Sequence, residues 1–227
     1  MIKINRSLVF FLLKFFPAFF LPGLVSFAQD ESKSASAHFV LPEFIKGSVM
    51  FKTGLVENVL LNYNMITEEM VFEKNEKRLA LENLDKIDTI YLGSRKFIPK
   101  EKVFYEVLVN DTVSLFVRHK RNIITPGSPA GYGGTTETGS AHSISFLVNS
   151  GNIYKLELPS EYRLTDVSQY WIAFGNSSVR ITSERQLLKL FPEISGQLKQ
   201  FITQNKLNIR KQADLQTLIT KCNELIQ

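Results

Sequence analysis

Between Gly47 and Arg121 the chain is a succession of short runs that alternate apolar and polar residues with period two, and this pattern suits antiparallel strands. Val59, Leu61 and Tyr63 alternate with Asn58, Leu60 and Asn62, and Met70 and Phe72 sit between Glu69, Val71 and Glu73. Val103, Tyr105, Val107 and Val109 share one face of a longer strand, as do Val113, Leu115 and Val117, with Ser114, Arg118 and Lys120 opposite. Turn formers punctuate the runs at Thr53-Gly54, Lys74-Asn75, Gly93-Ser94 and Asn110-Asp111. Gly, Asn and Asp tolerate positive φ there or bond the backbone with their side chains. The expectation is a meander.

Pro126 to Ser140 interrupts it with a Gly-, Ser-, Thr- and Pro-rich stretch that cannot be a regular element. Tyr132, followed by Gly133 and Gly134, is its one aromatic, and an aromatic on a free backbone suits contact with a glycan or peptide. The strand pattern resumes at Tyr154, Leu156 and Leu158 and again over Tyr170 to Phe174, which holds the only tryptophan, Trp171.

The last fifth has the helical period. Ser183 with Gln186 is a capping box, and Leu187, Leu188 and Phe191 form one apolar side before Pro192. Ile194, Leu198, Phe201 and Ile202 mark a second helix. A third, over Asp214 to Gln227, is marked by Leu215, Leu218, Ile219, Cys222, Leu225 and Ile226. Three helices with single apolar stripes must pack on something, and a β-sheet is the large partner at hand. The expected class is α+β: an antiparallel β meander (sheet, sandwich or partly open barrel) over residues 39–182, followed by C-terminal helices over 183–227 packed on it.

The N-terminus constrains compartment. Lys3 and Arg6 precede an apolar stretch to Leu21, Pro22-Gly23 breaks it, and Val25-Ser26-Phe27-Ala28 places small residues where a signal peptidase needs them. The expectation is a signal peptide over 1–28, cut between Ala28 and Gln29, then a polar leader over 29–38. An uncleaved anchor is the rival, weakened by Lys14 in mid-span, so no transmembrane segment is expected after cleavage. The remaining chain would carry 24 of the 27 lysines and arginines against 22 acids, a net charge of +2. So small a charge gives no reason to expect a nucleic-acid partner. Cys222 is the single cysteine, so no internal disulfide and no cysteine-linked lipid anchor is expected, and its place on an apolar stripe predicts a buried thiol.

Chemistry-bearing motifs are absent. His38, His119 and His142 have no second ligand at metal spacing, and neither Gly127-Ser128-Pro129 nor Gly139-Ser140-Ala141 completes a nucleophile elbow. No catalytic residue, metal site or cofactor is assigned. Arg118-His119-Lys120-Arg121 reads as a solvated strand end, with His119 in phase with the inner face. The favoured reading is a non-enzymatic module of the periplasm or cell surface that binds an envelope component or a partner protein. The alternatives are a hydrolase with a dispersed site and a scaffold held by the uncleaved N-terminus.

Several segments carry a resemblance: Gly47-Ser48-Val49 with Lys52 and Gly54, Leu61-Asn62-Tyr63-Asn64, Glu69-Met70 with Phe72, and Ala130-Gly131-Tyr132-Gly133-Gly134. Leu187-Leu188-Lys189-Leu190-Phe191-Pro192 and Asn205-Lys206 with Asp214-Leu215 continue it. Together they resemble a family of exported Bacteroidetes proteins of unknown function. The resemblance implies export from a Gram-negative bacterium and supplies no activity. Such bacteria O-glycosylate exported proteins at Asp-Thr followed by an aliphatic residue, which would make Thr89 and Thr112 acceptors.

Overall fold

The computed structural model describes residues 37–124 and 162–226. The signal segment with Ala28 and Gln29, the Gly-rich stretch with Tyr132, Gly133 and Gly134, and the pattern at Tyr154–Leu158 lie outside the described residues. Ala37 and His38, assigned by composition to the leader, belong to the fold. The carbonyl of Ala37 accepts from Arg121, and that of His38 accepts from the Met65 N–H at 2.8 Å.

Among the described residues twelve strands follow: β1 Ile45–Phe51, β2 Val56–Asn64, β3 Glu69–Lys74, β4 Lys77–Ala80, β5 Ile87–Leu92, β6 Arg95–Lys100, β7 Val103–Val109, β8 Val113–Arg118, β9 Arg121–Ile124, β10 Arg163–Asp166, β11 Gln169–Phe174 and β12 Ser177–Ile181. Ten form one antiparallel sheet in the order β12-β11-β8-β7-β6-β5-β1-β2-β3-β4, and β9 with β10 makes a separate ribbon. The helices are α1 Glu184–Leu190, α2 Ser195–Asn205 and α3 Gln212–Ile226. The class is α+β, with an unclosed meander sheet and three C-terminal helices packed on it.

The four expected turns fall between paired strands. At Asn75-Glu76 both residues have positive φ, 53° and 61°, between the paired Lys74 and Lys77, which is the primed geometry that matches strand twist. The order departs from a simple meander twice: β9 and β10 leave the sheet before β11 pairs with β8, and β5 does not follow β4. After β4 the chain returns through a 3-10 turn, Leu84–Lys86, and β5 adds to the far side of β1. Gly47 allows that packing, since a Cβ there would stand 2.6 Å from the Tyr91 carbonyl and 2.8 Å from Leu61 Cδ1.

Residues directly opposite in a sheet share a face, so the register maps one continuous row across seven strands. It runs Val49, Ile90, Phe97, Glu106, Val117, Tyr170, Ile181. Val49, Ile90 and Phe97 belong to one apolar cluster, with Leu61, Tyr63, Met70 and Phe104, built within the curled sheet. Ile181, with Val113, Leu115 and Ile172, belongs to a second, roofed by Leu187 of α1, Leu198 and Ile202 of α2, and Leu215, Leu218, Ile219 and Cys222 of α3. One face therefore serves two cores. A glutamate stands between them.

Two expectations change. Val103, Tyr105, Val107 and Val109 do not share a face, because a bulge between Val107 and Val109 brings Val109 to the side of Leu115. Phe104 and Glu106 are then as buried as Tyr105, so β7 is covered on both faces. The basic run after β8 is not a solvated strand end. Each of its four side chains bonds a named group, as described below.

Candidate functional site

Burial explains where charge must be paired. Glu106 is 5 % exposed at the middle of the row, and an ionised carboxylate there needs donors on every open side. Arg95, two residues before Phe97 on β6, supplies a fork: Nε donates to Oε1 at 2.7 Å and Nη2 to Oε2 at 2.6 Å. His119, two residues beyond Val117, donates from Nε2 to Oε2 at 2.5 Å. That carboxylate fixes the proton on Nε2, so the 3.2 Å approach of Arg95 Nη2 to the same nitrogen is two donors converging on one oxygen. Burial opposes the charge on Glu106, yet the bonds from His119 and Arg95 outweigh it and hold the carboxyl below its ordinary pKa. Phe97 and Tyr63 form the apolar bed, their rings 6.4 and 6.3 Å from that of His119.

A second cluster joins the β2–β3 turn to the end of β8. Arg118 and Lys120 alternate away from His119 and both reach Glu68: Arg118 with Nε to Oε1 and Nη2 to Oε2 at 2.8 Å, Lys120 with Nζ to Oε2 at 2.9 Å. Arg121 bonds the Ala37 carbonyl and, through its N–H, that of Met65 at 2.7 Å. The Tyr63 hydroxyl donates to the His119 carbonyl at 3.3 Å. These bonds fasten the curl of the sheet. Their donors and acceptors are committed to one another, which makes the two clusters structural joints.

A different constellation faces solvent where the row ends. Asp166, Ser168, Gln169 and Tyr170 from the β10–β11 connection, Arg180, Ile181 and Thr182 from the end of β12, and Ile209 and Arg210 between α2 and α3 line a cleft of about 490 Å³. Its backbone is pinned. Asp166 Oδ1 accepts the Ser168 N–H at 2.8 Å, Ser168 Oγ accepts the Lys120 N–H at 3.2 Å, and the Arg180 carbonyl accepts from Gln186 Nε2 at 2.8 Å. The Arg210 N–H donates to Asn208 Oδ1 at 3.0 Å, and Asn208 is itself held by Asp214 at 2.8 Å. Among the described residues, the guanidinium groups of Arg180 and Arg210 and the hydroxyl of Tyr170 make no hydrogen bond or ion pair. Burial, then Asp166 and Glu106, raise the Tyr170 pKa, so its hydroxyl stays a donor.

A second concavity of about 520 Å³ lies between α1 and α2, its lining including Leu188, Pro192 and Gly196 together with Glu184, Arg185, Lys189 and Lys199. It is broader and more open. Among the described residues no group of three or more His, Cys, Asp or Glu is placed to hold a metal, and no helix is long and apolar enough to cross a membrane.

Of the residues that the sequence marks, Thr89 is 5 % exposed on β5, its hydroxyl bonded to Asp88 at 3.0 Å. Thr112 lies on the exposed β7–β8 turn. Of the two, Thr112 is the one an enzyme can reach on the folded domain. Cys222 is fully buried, and burial pushes its thiol up to about 12. Arg95, Glu106, Glu68, Arg180 and Arg210 belong to no motif and escape a reading of the sequence. For Glu106 a signal exists, since a lone acid inside the run Val-Phe-Tyr-Glu-Val-Leu-Val has no polar face to sit on. No protein-family model, curated protein or solved structure matches the chain.

Proposed function

We propose that this protein is exported to the cell envelope and works there as a non-enzymatic binding module, with the cleft at the end of the sheet as its contact surface. Export rests on the signal-like segment ending at Ala28. The binding reading rests on one observation: while the buried charges of Glu68 and Glu106 are saturated, Arg180 and Arg210, exposed and without an ion pair among the described residues, both line one cleft whose backbone is pinned. Donors held on rigid backbone bind with little ordering cost, which is how a recognition surface differs from an ordinary solvated one.

Two measurements test this. Intact-mass analysis of protein from the envelope fraction should show residues 1–28 removed and Gln29 as the first residue; a full-length mass would sink the export claim. Backbone amide resonances recorded with soluble envelope extract should shift at residues 166–170, 180–182 and 209–210. Shifts confined to the groove between α1 and α2 would move the contact surface there.

A further inference from the structure

The register also maps the opposite, outer face of the sheet. One row there runs Tyr91, Lys96, Val107, Phe116, Trp171, Arg180, across successive paired strands and about 24 Å from end to end at the usual strand spacing. The helices roof Val113, Leu115, Ile172 and Ile181 on the other face, and no described helix covers this one. A sheet face turned to solvent should be polar, yet Val107, Phe116 and Trp171 stand side by side here, and Tyr91 is 40 % exposed at the end of the row. Tyr105 meets the Trp171 ring edge-on at 6.2 Å, and Lys100 Nζ lies 5.9 and 5.8 Å from the two ring centres. The buried Nε1 of Trp171 has no hydrogen-bond partner among the described residues. Across β6, β7, β8, β11 and β12 this face carries Lys96, Lys100, Arg118 and Arg180 and no acid. Of these four, Arg118 alone is ion-paired among the described residues, to Glu68.

We infer that this face is a platform for a linear acidic polysaccharide, whose ring faces stack along Phe116, Trp171 and Tyr105 while its carboxylates pair with Lys96, Lys100 and Arg180. The step rests on the exported binding reading above, and Gln169 and Arg180, which also line the cleft, join the two surfaces. Charge complementarity selects an anion, and aromatic rings spread along a flat row select a chain of flat-faced units over a compact ion. A sugar oxygen supplies the acceptor that Trp171 Nε1 lacks. For a protein of the cell envelope, a polyanion of this shape is a glycan and not a nucleic acid.

Trp171 is the single tryptophan, so its emission reports on this face. Titration of the full exported chain with polygalacturonate should change that emission saturably, and less as salt rises, while neutral dextran leaves it unchanged. By calorimetry, Lys96→Ala and Lys100→Ala should each weaken polygalacturonate about two- to fivefold, the scale of an exposed ion pair. Trp171→Ala should weaken it roughly tenfold through lost stacking. Lys100 is exposed, so its variant keeps the test open if Trp171→Ala fails to fold. Lys199→Ala, in the groove between α1 and α2, should bind as the parent does. Equal binding of dextran would overturn the inference, and so would tighter binding of single-stranded poly(dT), which would make the face a nucleic-acid surface. A loss at Lys199→Ala as large as at Lys100→Ala would place the polyanion in the helical groove and overturn it too. Silence from polygalacturonate beside cleft amide shifts with envelope extract would sink this inference and leave the binding reading standing; silence from both would sink both.

Discussion

Asn223, on α3, holds both backbone groups of Val113 at the start of β8: its Oδ1 accepts the Val113 N–H at 2.7 Å and its Nδ2 donates to the Val113 carbonyl at 2.9 Å. The amide does for the first residue of β8 what a neighbouring strand does for the rest. It also orients α3 over Leu115 and Ile172.

Asn223→Ala would leave a buried donor and a buried acceptor unpaired. The expected cost is about 2–4 kcal/mol by chemical denaturation. Asn223→Asp keeps the acceptor and loses the donor, so it should be no better. A loss under about 0.5 kcal/mol for the alanine variant would show that the helix is not fixed by this bond.

Gly47 faces a different limit. An added methyl group collides with the Tyr91 carbonyl, which belongs to β5 and cannot swing aside. Gly47→Ala should cost about 1–3 kcal/mol, near the range for overpacked cores, and lower Tm by several degrees. The matching change at Gly196, where nothing lies within 4 Å, should be neutral or stabilising.

Acid should weaken the fold in two stages. His38 is 7 % exposed, its Nδ1 has no hydrogen-bond partner among the described residues, and burial followed by the charge of Arg78 lowers its pKa to about 4. The folded state thus prefers the neutral ring while the unfolded chain takes up a proton from pH 6.5 downward. Stability falls between about pH 6.5 and 4, by ~3 kcal/mol, and His38→Leu should flatten that limb. Glu68 and Glu106, held below the ordinary carboxylate range, add a second loss as pH drops through their folded values. Glu69, which burial raises, works in the opposite sense.

Much of this architecture is legible in the amino-acid pattern. Period-two runs mark the strands, Ser183 with Gln186 marks the start of α1, and the Ser183 hydroxyl does accept the Gln186 N–H at 3.3 Å. These signals are local, and local geometry decides them. The placement of β5 beside β1, the bulge before Val109 and the pairing of Glu68 with Arg118 fifty residues away depend on which surfaces meet after the sheet curls. No window of sequence records that. The cleft is further from view still, because its lining comes from three separate stretches, 166–170, 180–182 and 209–210. Alternation places Arg118 and His119 on opposite faces; it cannot say that an acid waits on each side.

Cys222 offers a check on the helical layer. With the thiol fully buried and raised to about 12, maleimide labelling should be slow in the native state and fast in denaturant. Equal rates would mean that α3 presents another face to the sheet.

Arginine footprinting addresses the central claim most directly. Native protein is treated with phenylglyoxal, with and without soluble envelope extract, and modification of each arginine is followed by mass spectrometry. The binding account predicts that extract slows modification of Arg180 and Arg210 several-fold while the exposed Arg163 and Arg185, which do not line the cleft, react as before. Unchanged rates at Arg180 and Arg210, or equal slowing at all four, would contradict it.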